Sequence, residues 1–310
     1  MRICLIFNPS AGTADRIKDF LLHLTSDARC ELRATSRKTG ARQITREAVD
    51  EGFQRIVVAG GDGTISQVLN GIAPDFDAVE LAVLPFGTGN DLARALGLLP
   101  EQLGHACRLA FDETLETIDL MQISAEDTTS YCINVANGGL GGQVAQDILP
   151  EDKQRWGPMA YWMTSVSRLM DLQTYHVDLW LDGQEWHLES LGVSVANGRF
   201  VGGGFPIAPH ALLNDGLLNV TICPDLPMFE LMAAGVNFTL GRDQREDRIQ
   251  HFRAKKVRIR SEPNMPFSID GEPSCRIDAT FDVIPKALRV VVGANATGLV
   301  PLPPEPPFLR

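Results

Sequence analysis

The fold is decided by one stretch of sequence, Val57-Val58-Ala59-Gly60-Gly61-Asp62-Gly63-Thr64, in which an apolar run passes into a glycine turn. The apolar run indicates a buried strand, and the residues that follow the turn indicate a helix. A strand, a glycine turn and a helix start direct backbone N–H groups toward an anion. Glycines also let a phosphate come close to the backbone. The stretch therefore predicts a phosphate-binding turn in a βα unit.

A second turn of the same kind, Pro85-Phe86-Gly87-Thr88-Gly89-Asn90-Asp91, follows the next apolar run along the chain. Each turn carries one acid, Asp62 in the first and Asp91 in the second. A carboxylate beside a phosphate is useful when Mg²⁺ lies between them, since Mg²⁺ is commonly held by one or two carboxylates together with substrate phosphates. One glycine turn is weak evidence, because a structural turn explains it equally well. Two turns in consecutive βα units favour a nucleotide–metal site.

The composition of the chain narrows the class of ligand. The chain has 310 residues, a formal net charge of −11 and 44% hydrophobic residues. Because proteins that bind nucleic acid usually carry a basic stripe, this balance argues against a nucleic-acid partner. A nucleotide, a metal, a small molecule or a lipid remains. Six scattered cysteines without a C-x-x-C motif, and an N-terminus without a signal peptide, predict a cytoplasmic protein.

The chain divides into two parts of different pattern. Residues 1–125 alternate strand and helix signals, with Thr39 as a predicted helix cap, which indicates a doubly wound, mostly parallel α/β domain. Residues 126–293 contain many short strands, which predict an antiparallel β-sandwich. Helices are expected within this part at 156–172 and 228–241. The C-terminal segment, about 294–310, is expected to be a proline-rich tail that packs back on the first domain.

Three loops of small residues meet at one edge of the predicted sheet. Ligands of doubly wound sheets bind beyond the carboxyl ends of the strands. Asn8–Gly12, Gly60–Thr64 and Gly87–Asp91 each follow a predicted strand at that edge. The sequence thus predicts a cleft to which all three loops contribute. In the second part of the chain, the run Gly202-Gly203-Gly204 indicates either a close backbone approach or a plain loop.

Two acidic turns in the second part of the chain are open to two interpretations each. The bend in Asp270-Gly271-Glu272 is expected to aim both carboxylates at one point, where a base could take a proton from a hydroxyl. An ordinary Asp-Gly hairpin turn explains the same residues. The turn Asn214-Asp215-Gly216 offers oxygen ligands to a hard cation, or is simply a turn.

Five motifs follow one another along the chain in a characteristic order: Asn8-Pro9-x-x-Gly12, Gly60–Thr64, Gly87–Asp91, Asn214–Leu217 and Asp270–Glu272. Together they resemble the diacylglycerol kinase catalytic family, most closely its soluble bacterial lipid kinases. The motif Gly-Gly-Asp-Gly-Thr alone is shared with NAD kinases and, more loosely, with phosphofructokinases. The ordered set is more specific and runs over nearly the whole chain.

The resemblance implies an enzyme that uses ATP and Mg²⁺, with ATP held between the two domains. It implies that Glu272 is the general base that takes the proton of a lipid hydroxyl, assisted by Asp270, and that Asp62 lies near the catalytic metal. The residues implied to surround ATP are Asn8, Pro9, Ser10, Ala11, Gly12, Thr39, Gly60, Gly61, Asp62, Gly63, Thr64, Ile65, Ser66 and Thr88.

A structural Mg²⁺ site is also implied by the resemblance. Asp215, with the carbonyl groups of Leu212 and Leu217, matches that site, and Asp91 and Asp119 match acids that the family uses near it or in supporting charge networks.

Three positions depart from the family pattern. Ala11 replaces the usual serine and Ser66 the usual asparagine, which is expected to loosen phosphate contacts. Asn214 replaces a second acid, which is expected to weaken the metal site.

These implications predict a lipid kinase whose favoured reaction is the conversion of diacylglycerol to phosphatidic acid, with phosphatidylglycerol and sphingoid bases left open as acceptors. A NAD or sugar kinase with the same glycine turn, and a non-catalytic lipid-binding homologue, are the alternatives. The enzyme is expected to dock transiently on a membrane, and a homodimer is left open. Lys256, Arg258 and Arg260 alternate along one predicted strand, so they share a face that could meet anionic lipid, although a solvated face is the simpler interpretation.

Overall fold

The structure is a computed structural model that describes residues 1–10, 29–111, 115–125, 128–139, 173–225, 249–275, 278–294, 296, 298 and 299. The helices predicted at 156–172 and 228–241 lie outside the described residues, as do residues 300–310 of the predicted tail. The end of the described chain contacts the first domain, because the N–H groups of Gly293 and Gly298 donate to the carbonyls of Leu96 and Ala95 at 2.8 and 3.1 Å.

The first part of the chain forms a parallel sheet with helices beside it. The strands pair in the order β2-β1-β3-β4, all parallel, and are β1 (Ile3–Phe7), β2 (Cys30–Ala34), β3 (Arg55–Gly60) and β4 (Glu80–Pro85). The described α-helices are α1 (Ala41–Asp50), α2 (Asp62–Ile72), α3 (Asp91–Ala95) and α4 (Leu103–Leu109), with a short 3₁₀ helix at Pro100–Gln102. β3 is buried along its whole length, as expected for a strand covered on both faces.

The start of α1 differs from the prediction. Its N-cap residue is Gly40, and no side chain caps the helix, so the prediction of Thr39 as the cap was wrong. Thr39 lies before the helix, and its N–H donates to the hydroxyl of Ser36 at 3.1 Å. The helix is held by its apolar face, where Ala41, Ile44 and Ala48 are buried.

The remaining described strands, from β5 at the end of the first part onward, pair mainly antiparallel. They are β5 (Leu115–Ala125), β6 (Thr128–Cys132), β7 (Val135–Gly138), β8 (Tyr175–Leu181), β9 (Gln184–Ala196), β10 (Leu218–Pro224), β11 (Gln250–Ala254), β12 (Lys256–Glu262), β13 (Pro266–Ile269), β14 (Glu272–Cys275) and β15 (Asp278–Val291). β8 and β9 form a hairpin, whose turn residues Asp182 and Gly183 have φ values of 48° and 88°. Two positive φ values match a two-residue hairpin turn.

The long strand β15 joins the two parts. It pairs antiparallel with β12 and β5, and its C-terminal end pairs parallel with β4. It is one strand with an irregular register between Ile284 and Leu288. All fifteen strands of the described residues consequently belong to one connected sheet.

The two largest apolar cores of the described residues are packed on this sheet. The first contains side chains of β1, β3 and β4 with α1 and α2, and the second contains side chains of β8, β9 and β12. β5 and β15 contribute to both, since Ile118 and Val290 lie in the first core and Met121 and Phe281 in the second. The junction between the cores is thus crossed by continuous strands. Among the described residues, no helix is long and apolar enough to cross a membrane.

Candidate active site

The two glycine turns touch backbone to backbone at the carboxyl ends of β3 and β4. A Cβ atom added to Gly87 would lie only 2.3 Å from the Cα of Gly61, and one added to Gly61 would lie 3.1 Å from the Cα of Gly87. A side chain at either position would push the turns apart. The glycines are needed for this close approach, and the structure brings the two turns together as the sequence predicted.

The first strand contributes Asn8, which fixes the start of α2. Its side-chain Nδ2 donates to Thr64 Oγ1 at 2.9 Å, and its Oδ1 accepts the N–H of Ser10 at 2.9 Å. Gly60 lies against the same threonine, because a Cβ there would be 2.7 Å from Thr64 Cβ. Asn8, Gly60 and Thr64 therefore form one packed unit beneath the glycine turn.

The first turn of α2 faces the cleft. This helix has eleven residues, and its first intrahelical bond runs from the N–H of Ile65 to the carbonyl of Gly61 at 3.1 Å. The N–H groups of Asp62, Gly63 and Thr64 precede that bond and have no partner within the helix. Together with the helix dipole, they can bind an anion such as a phosphate.

Not every residue predicted to surround ATP faces the cleft. The Ile65 side chain is 1% exposed in the first core and its N–H is used by the helix, so it offers no group to a nucleotide. The Ser66 side chain is also buried. Pro9, Ser10 and Thr88 are exposed, and Thr39 is half-buried. Ala11 and Gly12 lie outside the described residues.

Asp62 and Asp91 converge beside Gly89. A Cβ added to Gly89 would lie 2.8 Å from Asp62 Oδ2 and 3.1 Å from Asp91 Oδ2, so the two carboxylates face the same small volume. Burial raises the pKa of Asp91 to about 7, and the neighbouring Asp62 charge acts in the same direction. Burial also raises the pKa of Asp62. Two carboxylates held together in this way favour a shared proton or a divalent cation.

Backbone N–H groups hold the two acids in place. Asp62 Oδ1 accepts the N–H of Asp91 at 3.0 Å. The Asp91 carboxylate accepts the N–H of Gly203 at 3.1 Å and that of Gly204 at 2.7 Å, and both glycines come from the β-rich half. These glycines and Gly202 all have positive φ, which side-chain-bearing residues rarely adopt. The glycine run is therefore a close backbone approach, and it links Asp91 to the second domain.

Glu272 reaches the glycine turn from the β-rich half. A Cβ added to Gly63 would lie 2.1 Å from Glu272 Oε1, so the carboxylate lies directly over the first turn of α2. The β13–β14 hairpin carries Glu272, and its turn residues Asp270 and Gly271 have φ values of 48° and 82°. The Asp-Gly hairpin turn, one of the two interpretations of these residues, is therefore present. The same turn directs Glu272 across the cleft.

Asp270 faces a different partner. The expectation that both carboxylates meet at one point is wrong, because the Asp270 carboxylate is buried against the segment that links β6 to β7. It accepts the Sγ–H of Cys132 and the N–H groups of the next three residues at 2.9–3.2 Å, namely Ile133, Asn134 and Val135. Burial raises the pKa of Asp270, and these donors act against that rise. Asp270 thus anchors the turn that positions Glu272.

The turn predicted to hold a structural metal contains an ion pair. The Arg253 guanidinium, on β11, pairs with Asp215 Oδ2, and Asp215 Oδ1 accepts the N–H of Leu217 at 3.1 Å. In this arrangement the Arg253 guanidinium occupies the position next to Asp215 Oδ2 that a metal ion would need, so the Asp215 carboxylate does not fit a bound metal ion. No group of three or more His, Cys, Asp or Glu side chains that could hold a metal occurs in the described part of the chain. The ligand roles of Leu212, Asp215 and Leu217 stay a prediction.

Three contributors to the site were missed by sequence reasoning. Gly89 lies inside a motif that was recognised, so its closeness to the acids could have been suspected. Cys132 and Arg253 carry no local signal, because each meets its partner through strand pairing across a long stretch of chain.

A glycine-rich cleft at the end of an α/β sheet, closed by an acid from a β-rich half, places phosphate-binding turns opposite a proton acceptor, as a phosphotransferase requires. Residues 2–123 match the family described as the diacylglycerol kinase catalytic domain. Residues 134–292 match the family described as the YegS C-terminal NAD kinase beta sandwich-like domain. The chain belongs to this family of YegS-like lipid kinases.

Similar proteins cover nearly the whole chain. A Stenotrophomonas maltophilia protein named "Probable lipid kinase YegS-like" is 30% identical over 302 residues, which are 94% of this chain and 96% of the relative. A Pseudomonas aeruginosa protein of the same name is 33% identical over 278 residues, 89% of this chain and 87% of the relative. A crystal structure of a diacylglycerol kinase from Bacillus anthracis superposes with a TM-score of 0.76 at 24% identity, covering 94% of this chain and 97% of that one. The superposition shows that the fold is shared.

Proposed function

We propose that this protein is an ATP- and Mg²⁺-dependent lipid kinase that converts diacylglycerol to phosphatidic acid. The observation that carries the proposal is the position of Glu272 over Gly63, on a cleft that also contains Asp62 and Asp91. Phosphoryl transfer depends mainly on positioning and on neutralising the charge of the phosphates. The cleft contains groups suited to both tasks.

The first domain supplies the donor side of the reaction. The N–H groups of the first turn of α2 would bind phosphate oxygens, and Asn8 holds that turn through Thr64. Asp62 and Asp91 fit a divalent cation, because their convergent carboxylates match the one or two that Mg²⁺ commonly uses beside substrate phosphates. When bound there, Mg²⁺ would neutralise phosphate charge.

The second domain supplies the acceptor side. Glu272 is exposed at the cleft and is the proposed general base, which would accept the proton of the lipid hydroxyl. The hydroxyl oxygen would form a bond to the γ-phosphorus of ATP while the bond from that phosphorus to the β,γ-bridging oxygen breaks, which releases ADP. Asp270 is a positioning residue in this proposal, since its carboxylate is used to hold the turn and does not face the cleft. In this proposal, Glu272 takes part in the chemistry and Asp270 positions it.

The lipid must be met at a membrane surface, so we propose a transient, peripheral contact. The basic face on β12 supports this contact less than the sequence suggested. Lys256 forms an ion pair with Asp282 at 3.1 Å, and Arg258 forms one with Asp278 at 2.6 Å. Because these acids share the exposed face with the cations, much of its positive charge is neutralised.

A substrate panel tests the proposal directly. Purified protein is incubated with Mg²⁺, ATP labelled at the γ-phosphate, and diacylglycerol, phosphatidylglycerol, a sphingoid base, NAD or a sugar. Label in diacylglycerol is the expected result. The NAD arm is included because the C-terminal family is described as NAD kinase-like; label in NAD and in no lipid would overturn the proposal. Labelling that continues unchanged in Glu272→Ala would leave a kinase but remove the assigned base.

A further inference from the structure

The loop around Asp215 lies at the junction of the two cores. The N–H of Asp119 donates to the carbonyl of Leu213 at 2.6 Å, and the N–H of Gly216 donates back to Asp119 Oδ2 at 2.6 Å. The other oxygen of Asp119 accepts the N–H of Lys286 at 2.7 Å, within the irregular part of β15. Asp119 is fully buried, so this carboxylate ties the loop to both long strands that cross the junction.

Two carboxylates lie at this junction, and the guanidinium of Arg253 contacts one of them, that of Asp215. Asp119 uses both oxygens for backbone N–H groups, and Asp215, 17% exposed, receives Arg253. The Asp215 carboxylate is thus largely enclosed close to a second, fully buried carboxylate, and the positive charge that contacts it is the Arg253 guanidinium.

We propose that Arg253 is a built-in replacement for a metal ion at this turn, so that a divalent cation binds beside Asp215 only when the guanidinium leaves. The inference does not depend on the proposed substrate or on the Asp62–Asp91 pair.

The identity of the neighbouring residues favours the guanidinium over a metal. Asn214 contributes no charge, so Asp215 is the only carboxylate that the turn itself offers to a cation. A single carboxylate with neutral oxygens is a weak site for Mg²⁺, which dehydrates reluctantly. Arg253 presents a permanent charge and several N–H donors to the same carboxylate.

Strand pairing keeps Arg253 close to the turn. β10 begins at Leu218, directly after the turn, and Arg253 of β11 pairs with Asn219 in the antiparallel register. The guanidinium is therefore held near Asp215 by the sheet. A tethered cation competes at a high effective concentration with a metal ion free in solution.

Thermal unfolding with and without Mg²⁺ tests the inference. Wild type, Arg253→Gln, Asp215→Asn and the double variant are each melted in EDTA and in millimolar Mg²⁺. Arg258→Gln is the matched control, because it also removes one arginine from an ion pair on an exposed strand, with similar exposure. Arg253→Gln is expected to melt about 2–4 °C lower than wild type in EDTA. Mg²⁺ should raise its melting temperature by more than it raises that of wild type.

The Mg²⁺ responses of the variants decide the outcome. The extra response of Arg253→Gln to Mg²⁺ should disappear in the Arg253→Gln/Asp215→Asn double variant, and Arg258→Gln should respond as wild type does. An equal Mg²⁺ response in wild type and Arg253→Gln would overturn the inference. The inference would also be overturned if Mg²⁺ raised the melting temperature of wild type but not that of Asp215→Asn, because the metal would then bind beside Asp215 with Arg253 in place. If Arg253→Gln does not fold, Arg253→Lys takes its place, because it keeps one positive charge. Calorimetric titration of Arg253→Lys should show no Mg²⁺ site that wild type lacks. Such a site would also overturn the inference.

Discussion

Replacing Gly63 with alanine tests whether the position of Glu272 matters for the chemistry. The added Cβ would lie 2.1 Å from Glu272 Oε1, whereas ordinary contact begins at 3.4 Å. The carboxylate must therefore move by the difference, at least 1.3 Å. Because Glu272 Oε1 is at the end of a flexible side chain, it can move away without disturbing the fold. The same movement takes the base out of line with the hydroxyl that it should deprotonate.

The expected loss is kinetic. Misplacement of a reacting group by about 1 Å can cost about 10²-fold in rate, which corresponds to about 2.7 kcal/mol of activation free energy. Stability should not fall, because Gly63 lies in a helix without a positive φ, where alanine is favoured over glycine by about 1 kcal/mol. We therefore expect kcat/KM for the lipid to drop about 100-fold at an unchanged or higher melting temperature.

The assay compares four proteins with labelled ATP and the lipid acceptor: wild type, Gly63→Ala, Glu272→Ala and the double variant. Gly104→Ala is the matched control, since Gly104 is also helical and nothing lies within 4 Å of an added Cβ. If Gly63 acts through Glu272, the alanine at position 63 should cost almost nothing in the Glu272→Ala background. An equal loss in both backgrounds would refute the reasoning and assign Gly63 to the phosphates. Full activity of Gly63→Ala would refute the placement of the base.

Three further predictions follow from the other acids and from the basic face. Asp270→Ala leaves three buried N–H groups without their acceptor, so it should lower the free energy of unfolding by about 2–3 kcal/mol and should also lower kcat. Glu272→Ala should lower kcat alone. An Asp270→Ala protein as stable as wild type would contradict this prediction. The pKa of Asp91 rises from an ordinary 3.8 to about 7 on folding, so the metal-free folded protein binds more protons than the unfolded chain between these values. Its stability should fall as pH rises through that window, and denaturant unfolding in EDTA should show this decline in wild type but less of it in Asp91→Asn. Replacing Lys256, Arg258 and Arg260 together with alanine should change binding to anionic vesicles less than about threefold, because exposed ion pairs already neutralise part of that charge; a tenfold loss in a vesicle sedimentation assay would show that this face meets the membrane.

The sequence by itself determined the local elements of this protein. The glycine turns after β3 and β4, the alternation of β12 and the Asp-Gly turn at Asp182 are encoded by neighbouring residues, because turn chemistry and side-chain periodicity act over a few positions. The same local chemistry produced the hairpin at Asp270 and placed an acid at the start of α2. These features were enough to predict the fold class and the edge of the sheet at which the cleft lies.

Tertiary structure alone decided which of these residues meet. Glu272 reaches Gly63, Asp91 binds the backbone of Gly204, and Arg253 pairs with Asp215 because strand order and register bring distant parts of the chain together. Local patterns do not determine such contacts, since shifting a strand by one residue moves each of its side chains to the opposite face. The sequence therefore led to the wrong prediction that Asp270 and Glu272 act at one point. In the structure, the hairpin directs Asp270 into the protein and Glu272 toward the cleft.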